Sequence, residues 1–411
     1  MLTIGKKLQA LNITRPTLLL DQDRVVQNIK RMKEKADRAG VRFRPHFKTH
    51  QSARIGEWFQ RVGVRAITVS SLDMGMYFAE HGWKDITVAF TANLPEQKAL
   101  QSLSRKVALS LLVDSVELVH GLGSALTVKA RVWIDVDVGY HRTGIPWDDF
   151  QPILAVARAI GEAKNLAFAG LLTHSGHTYH AKSAEEIRTL HNESLLKLRA
   201  VRKRLLDEGM RPCEISIGDT PSCSVADSFA GADEIRPGCF VFYDLTMSQL
   251  GACRDEDIAV AVACPLVAKY DASNQAVIYG GAVHLSKEFL VDKGGRRIYG
   301  YAAFPADASW GPAERRAPVI SLSQEHGLIE MNDSFLREAK AGDLLVILPV
   351  HTCLTSDLYH SYLSLDGERI ERRQSNDPPP APPPRPRAGG KKAGGKTEGK
   401  GKGSKRPPGK K

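Results

Sequence analysis

The chain has 411 residues, 42% hydrophobic and 25% charged, a balance suited to a globular protein with one large and one smaller domain. Its net charge of +11 is mostly local, because residues 376–411 hold eleven Lys/Arg and two Asp/Glu and the rest carries only +2. A basic groove across the folded part is therefore not indicated, and no apolar run approaches the roughly 20 residues that span a bilayer.

The N-terminal MLTIGKKLQALNITRP lacks the apolar core of a secretory signal, which argues against export. One strand and one helix follow in TRPTLLLDQDRVVQNIKRMKEKADRAG. Eight short apolar, β-branched runs come next: 41–46, 66–71, 86–90, 108–114, 128–137, 166–175, 213–219 and 234–240. Helical stretches lie between them, and several stop at a glycine such as Gly40, Gly82 or Gly209. Continuous apolar strands alternating with helices predict a parallel sheet covered on both faces. Eight such units predict a closed (β/α)8 barrel over residues 15–245, with an open doubly wound sheet as the alternative.

Beyond 245 the pattern changes. AVACPLVAKY, QAVIYGG, APVISLSQEHGLIEM and GDLLVILPVHTC read as strands with little helix between them, so a smaller, mostly β domain is expected over 246–375. The early strand TLLLD is free to pair with either domain. The Pro-rich, then Gly/Lys-rich tail 376–411 is expected to be disordered and solubilising, with weak contact to nucleic acid or an anionic surface as the other reading. Six cysteines without CxxC spacing read as reduced cytosolic thiols.

Catalytic groups of a barrel collect at the C-terminal ends of its strands, and four motifs fall there. Lys48 lies in RPHFKTHQ, between His46 and His50. A lysine forms imines usefully only where its surroundings favour the free amine. Alone, such a residue is more often a solvated strand-end lysine. Arg142, in GYHRTG, offers a fork for an oxyanion, with Asp135 and Asp137 as possible ion-pair partners. THSGHTYH gathers His174, His177, Tyr179 and His180; stacking on a planar ligand or proton transfer suits it better than metal binding. GDTPS (218–222) places hydroxyls at a helix start, where backbone amides can meet a phosphate, provided that Asp219 turns away; a plain capped turn is the other reading. In the second region His351 and Cys353 form an H-x-C pair. On a strand both would face one side and could share an ion, zinc being the best match. A buried cysteine beside an incidental histidine fits the spacing as well.

PTLLLD, PHFKTH, GDTPS, RPGCFVFYD and PVHTCLT, in that order over residues 15–370, resemble the D-serine dehydratase and D-threonine aldolase family of fold-type-III pyridoxal-phosphate enzymes. The metal pair is the most specific element, since related alanine racemases and single-domain cofactor carriers lack it. The resemblance implies that Lys48 is the Schiff-base lysine, with Tyr179 the other candidate catalytic group. Arg142 would contact the cofactor's phenolic oxygen, and His174 would belong to the cofactor pocket. Gly218, Thr220 and Gly238 would line the phosphate site, with Tyr179 beside it. His351 and Cys353 would bind a divalent metal, zinc or manganese. It further implies a head-to-tail cytoplasmic homodimer and a small D-amino acid substrate with a β-hydroxyl. H-x-C resembles the dehydratase members, whereas the aldolases more often place a carboxylate second. Water elimination giving a keto acid and ammonia is therefore expected, with retro-aldol cleavage to glycine and an aldehyde, racemisation, or a non-catalytic carrier role as alternatives.

Overall fold

A computed structural model describes residues 8, 11–305, 309–331, 336, 337 and 339–374; the tail expected to be disordered lies outside them. Eight parallel strands form one sheet: Arg42–Phe43, Ala66–Val69, Asp85–Thr91, Ala108–Val113, Ala130–Asp137, Leu166–Thr173, Glu214–Ile217 and Glu234–Ile235. The first pairs with the eighth. A parallel bridge between His46 and Thr68 joins its far side to the second. The ring so made is a (β/α)8 barrel, and the open-sheet alternative falls away.

The first and eighth strands are shorter than the expected 41–46 and 234–240. Pro45 and Pro237 have no N–H to give to a ladder, so regular pairing stops before each. Beyond Pro237 the chain turns into the single helical turn Cys239–Val241 instead of continuing extended. Neighbouring strands approach closely at Gly170, where φ is +150° and a Cβ would stand 2.0 Å from the Glu214 carbonyl oxygen; only glycine fits there.

Apolar residues on the strands' outer faces pack beneath the helices. Inside the ring several polar groups are joined head to tail. Asp85 accepts from Arg44 at 2.6 Å, and Arg44 also donates to Glu234 at 2.7 Å. Ser216 donates to Glu234 at 2.7 Å and accepts from Arg236 Nε at 2.7 Å. The buried charges of Arg44 and Glu234 persist because they are paired with each other and hydrogen-bonded. The series runs to Arg236, which stands near the rim.

A second, nine-stranded sheet contains Val260–Tyr270, Gln275–Tyr279, Gly300–Pro305, Trp310–Leu322, His326–Glu330, Leu344–Pro349, Ser361–Ser364 and Arg369–Glu371. Its ninth member is Thr17–Leu20, which runs antiparallel to Val260–Ala263 and parallel to the Ser361–Ser364 strand. The chain therefore begins in this sheet and enters the barrel through the helix Gln22–Arg38, whose N-terminus Asp21 caps. Among the described residues, no helix is long and apolar enough to cross a membrane.

Candidate active site

Lys48 lies just past the first barrel strand, in the turn that follows the His46 bridge, and its side chain is exposed. His46 shows what gathers there. Burial, then the charges of Lys48, Arg236 and Arg142, hold its ring well below the usual histidine range. Among the described residues no carboxylate forms an ion pair with Lys48, Arg142 or Arg236.

Arg142 sits on the loop after Ala130–Asp137, over the ring of Tyr140 at 5.3 Å. Neither aspartate pairs with it. Asp137 accepts from the amides of Gly139 and Tyr140 at 2.9 Å and of His141 at 3.1 Å, so it shapes the loop that presents Arg142. Asp135 is buried beneath, and that burial lifts its carboxyl to about 6.

His174 follows the strand Leu166–Thr173, and its Nδ1 lies 2.6 Å from the Gly218 carbonyl oxygen. A carbonyl only accepts, so Nδ1 carries the hydrogen and Nε2 keeps its lone pair. Burial holds the ring neutral, with a pKa of about 3. His177 and His180 share the helical turn Gly176–His180 with Tyr179. The Tyr179 hydroxyl accepts from the Thr220 amide at 3.4 Å, and Thr220 Oγ1 accepts from the Gly238 amide at 3.3 Å. The ends of the sixth, seventh and eighth strands are thus tied together. Asp219 caps the helix Thr220–Val225 through the Ser222 amide at 2.7 Å and accepts from Thr178 Oγ1 at 2.9 Å. Its charge turns away from the Thr220–Gly238 cradle. At Gly218 a Cβ would meet Arg236 Cβ at 2.8 Å; at Gly238 it would meet His46 Cβ at 3.1 Å.

The second group forms where the nine-stranded sheet meets this rim. Contrary to the strand expectation, His351 is the extended N-cap of the short helix Thr352–Asp357 and Cys353 lies in its first turn. They converge because the chain turns there. Cys239, which the sequence reading missed, joins them: the ligand atoms of Cys239, His351 and Cys353 all lie within 4.8 Å of one another. Asp244, also missed, is buried behind them. Its Oδ2 lies 3.1 Å from His351 Nδ1 and accepts from the Thr352 amide at 3.2 Å. Burial opposes a charge on His351, but Cys353 and Asp244 outweigh it and raise the ring to about 11. The hydrogen bond from Cys239, with the charges of His351 and Lys48, draws the Cys353 thiol well below its ordinary value against the effect of burial. Thr49, the residue after Lys48, places its Oγ1 3.2 Å from Cys353 Sγ. The lysine turn and the thiol–imidazole group are therefore one continuous site.

Arg236 was also missed, because in sequence it passes for a strand residue. Its Nη2 donates to the Thr173 carbonyl at 2.6 Å, which fixes the guanidinium within the ring. The signal for Cys239 was present in RPGCFVFYD, but no spacing rule links it to a histidine so far along the chain.

Both donor sets fit the groups the motifs imply. Three cations without paired carboxylates, beside the Thr220–Gly238 cradle, suit a ligand bearing a phosphate and a phenolate oxygen. Imidazole and thiol groups backed by a buried carboxylate suit a divalent metal of the zinc class.

The alanine racemase N-terminal domain model matches residues 20–246, and a serine dehydratase domain model matches residues 259–365. The chain is 30% identical to D-threo-3-hydroxyaspartate dehydratase of Delftia sp. (strain HT23), over 86% of this chain and 95% of that one. The solved structure of that enzyme superposes with a TM-score of 0.81, at 28% identity, covering 88% of this chain and 98% of that one. A cysteine-to-alanine variant of it has been solved in a metal-free form. D-serine dehydratase of Dictyostelium discoideum is 28% identical over 85% of this chain and 93% of its own. 3-Hydroxy-D-aspartate aldolase of Paracoccus denitrificans is 23% identical over 87% and 90%.

Proposed function

This chain belongs to the family that joins an alanine racemase N-terminal domain to a serine dehydratase domain, and on that premise we propose that it eliminates water from a D-β-hydroxy amino acid, giving a keto acid and ammonia. When bound, pyridoxal phosphate supplies an electron sink for charge at Cα, and a divalent metal supplies a Lewis acid for the β-oxygen.

The chain's own groups divide the remaining work. Lys48 Nζ would hold the cofactor, and its amine is the group that would take the α-proton. Arg142 is positioned for the phenolate oxygen, with Asp137 setting its loop. Gly218, Thr220 and Gly238 cradle the phosphate, with Tyr179 closing that side. His174 presents a neutral ring, because its one N–H is committed to Gly218. His351 and Cys353 would hold the metal, zinc by the chemistry of the donors. Nδ1 of His351 is engaged by Asp244, which would leave Nε2 for the ion.

One observation carries this reading: the Thr49 Oγ1 contact with Cys353 Sγ at 3.2 Å puts the lysine turn against the metal ligands. Removal of the α-proton and departure of the β-oxygen can then occur at adjacent atoms of one substrate. The residue ranges 15–245 and 246–375 are proposed as the two domains, contributing the lysine and the metal pair respectively. A homodimer and a cytoplasmic location belong to the same proposal. The dimer is supported by Leu354 on the helix Thr352–Asp357 and Leu358 at its C-cap, 44% and 43% exposed. The location is supported by six free cysteines.

The test is incubation with D-serine, D-threonine and D-3-hydroxyaspartate, with and without a chelator, assaying keto acid separately from glycine plus aldehyde. Keto acid that disappears with the chelator is expected. Glycine plus aldehyde would replace elimination by retro-aldol cleavage.

A further inference from the structure

We propose that Cys239 is a third protein ligand of the metal, completing a Cys–His–Cys set that favours zinc-class ions over manganese and magnesium. The inference rests on the metal-dependent reading above. It concerns a residue that the H-x-C motif does not include.

The geometry is already close. All three ligand atoms fall within 4.8 Å of one another. Around a tetrahedral zinc with Zn–S bonds of about 2.3 Å, neighbouring sulfurs stand about 3.8 Å apart. Closing the set therefore takes a side-chain adjustment of about an ångström, not a rearrangement of the backbone. Cys239 is also held firmly in place. It is 4% exposed and starts the turn Cys239–Val241, directly after Gly238, whose amide is tied to Thr220 Oγ1 at 3.3 Å.

Besides Cys353, the sulfur's partners among the described residues are Asp244 Oδ2 at 3.1 Å and Thr352 Oγ1 at 3.5 Å. If it turns to a metal and loses its proton, Asp244 is not left unsatisfied. Its Oδ2 keeps His351 Nδ1 and the Thr352 amide, and its Oδ1 keeps the Met247 amide at 2.9 Å. Metal binding thus costs no buried hydrogen bond that the site cannot replace.

Two consequences follow. Two thiolates and one imidazole are soft donors, which suit zinc and poorly suit manganese or magnesium. Three protein ligands leave one tetrahedral position for water or a substrate oxygen, the arrangement of a catalytic metal. The set also draws one ligand from the barrel's last turn and two from the chain beyond Leu344–Pro349, so the ion would fasten the lysine-bearing rim to the second sheet.

The full chain, stripped with a chelator and reloaded with one equivalent of zinc, is examined by X-ray absorption. Zinc affinity is measured beside it by competition with a chromophoric chelator. Two sulfur neighbours at about 2.3 Å are expected in the native protein, and one in Cys239→Ser and Cys239→Thr. In those variants zinc affinity should fall by roughly 100-fold or more, beyond the usual effect of losing an outer hydrogen bond. One sulfur in the native protein would reduce Cys239 to a hydrogen-bond donor while leaving the metal-dependent function standing. Failure to bind zinc at all would remove both. The native sulfur count decides the matter even if a variant does not fold.

Discussion

The barrel rim and the thiol–imidazole group are assembled in different ways. At the rim each candidate side chain is delivered by a strand end: Lys48 after the first, Arg142 after the fifth, His174 and Tyr179 after the sixth, Thr220 after the seventh. The positions follow from strand count and direction alone, and local bonds such as the Asp137 loop do the rest. The metal-type group has no such template. Cys239 and Asp244 come from the chain leaving the barrel, and His351 and Cys353 from a helix beyond the second sheet. Their meeting depends on how that sheet packs on the rim. A site built from strand ends tolerates single losses locally; one built at a junction should lose metal, and stability, together.

The comparison can be broken most severely at Lys48. Lys48→Ala should lower turnover roughly ten-thousand-fold, the upper range for a lost proton-transfer group, and should abolish any borohydride-reducible cofactor adduct. Bound zinc should remain stoichiometric. Zinc lost along with the adduct would show that the two groups are one cooperative unit rather than neighbours. His351→Ala should give the mirror image, with the adduct retained and turnover down about a thousandfold as several kcal/mol of Lewis-acid assistance disappear. Parallel loss of the adduct would again defeat the distinction.

A smaller effect sharpens the same contrast. Asp244→Asn keeps the side chain's shape but withdraws the charge behind His351. Its zinc dissociation constant should rise about 10- to 100-fold, measured by chelator competition, with cofactor absorbance unaltered. If zinc affinity is unchanged, Asp244 serves only the backbone amides of Met247 and Thr352.

Much of the barrel was legible because parallel strands buried on both faces read as unbroken apolar runs, and all eight stand where those runs lie. Their ends were not, because an apolar run says nothing about where Pro45 or Pro237 interrupts the ladder. At the rim, Lys48, Arg142 and Thr220 stood out by lying just past strands. Arg236 did not, since a charged residue inside a barrel is indistinguishable in sequence from one facing solvent. His351 and Cys353 were visible as a pair, though for the wrong local reason: a helix start, not a strand, aligns them. Cys239 and Asp244 stood within RPGCFVFYD, but their meeting with His351 and Cys353 was hidden, because packing between distant segments has no local period to read.

The mildest test concerns what supports the lysine turn. His50 is fully buried two residues beyond Lys48, stacked on Phe59 at 5.6 Å and edge-on to Phe47 at 4.4 Å. Its Nδ1 accepts from the Ser52 amide at 3.1 Å, a bond that a protonated ring cannot make. Burial, then the charge of Arg372, holds it to about 3, against 6.5 for a free histidine. The unfolded chain therefore binds the extra proton first as pH falls. The contribution of His50 to stability should drop from pH 6.5 downward, by about 2 kcal/mol at pH 5, and this drop should continue until the folded ring itself titrates. In His50→Asn the amide oxygen can still accept from Ser52 but does not titrate. That variant should melt lower at neutral pH through lost packing, yet lose less between pH 6.5 and 5 than the native chain. Parallel melting profiles would shift the acid sensitivity away from the lysine turn, and with it the claim that the rim's geometry is set locally.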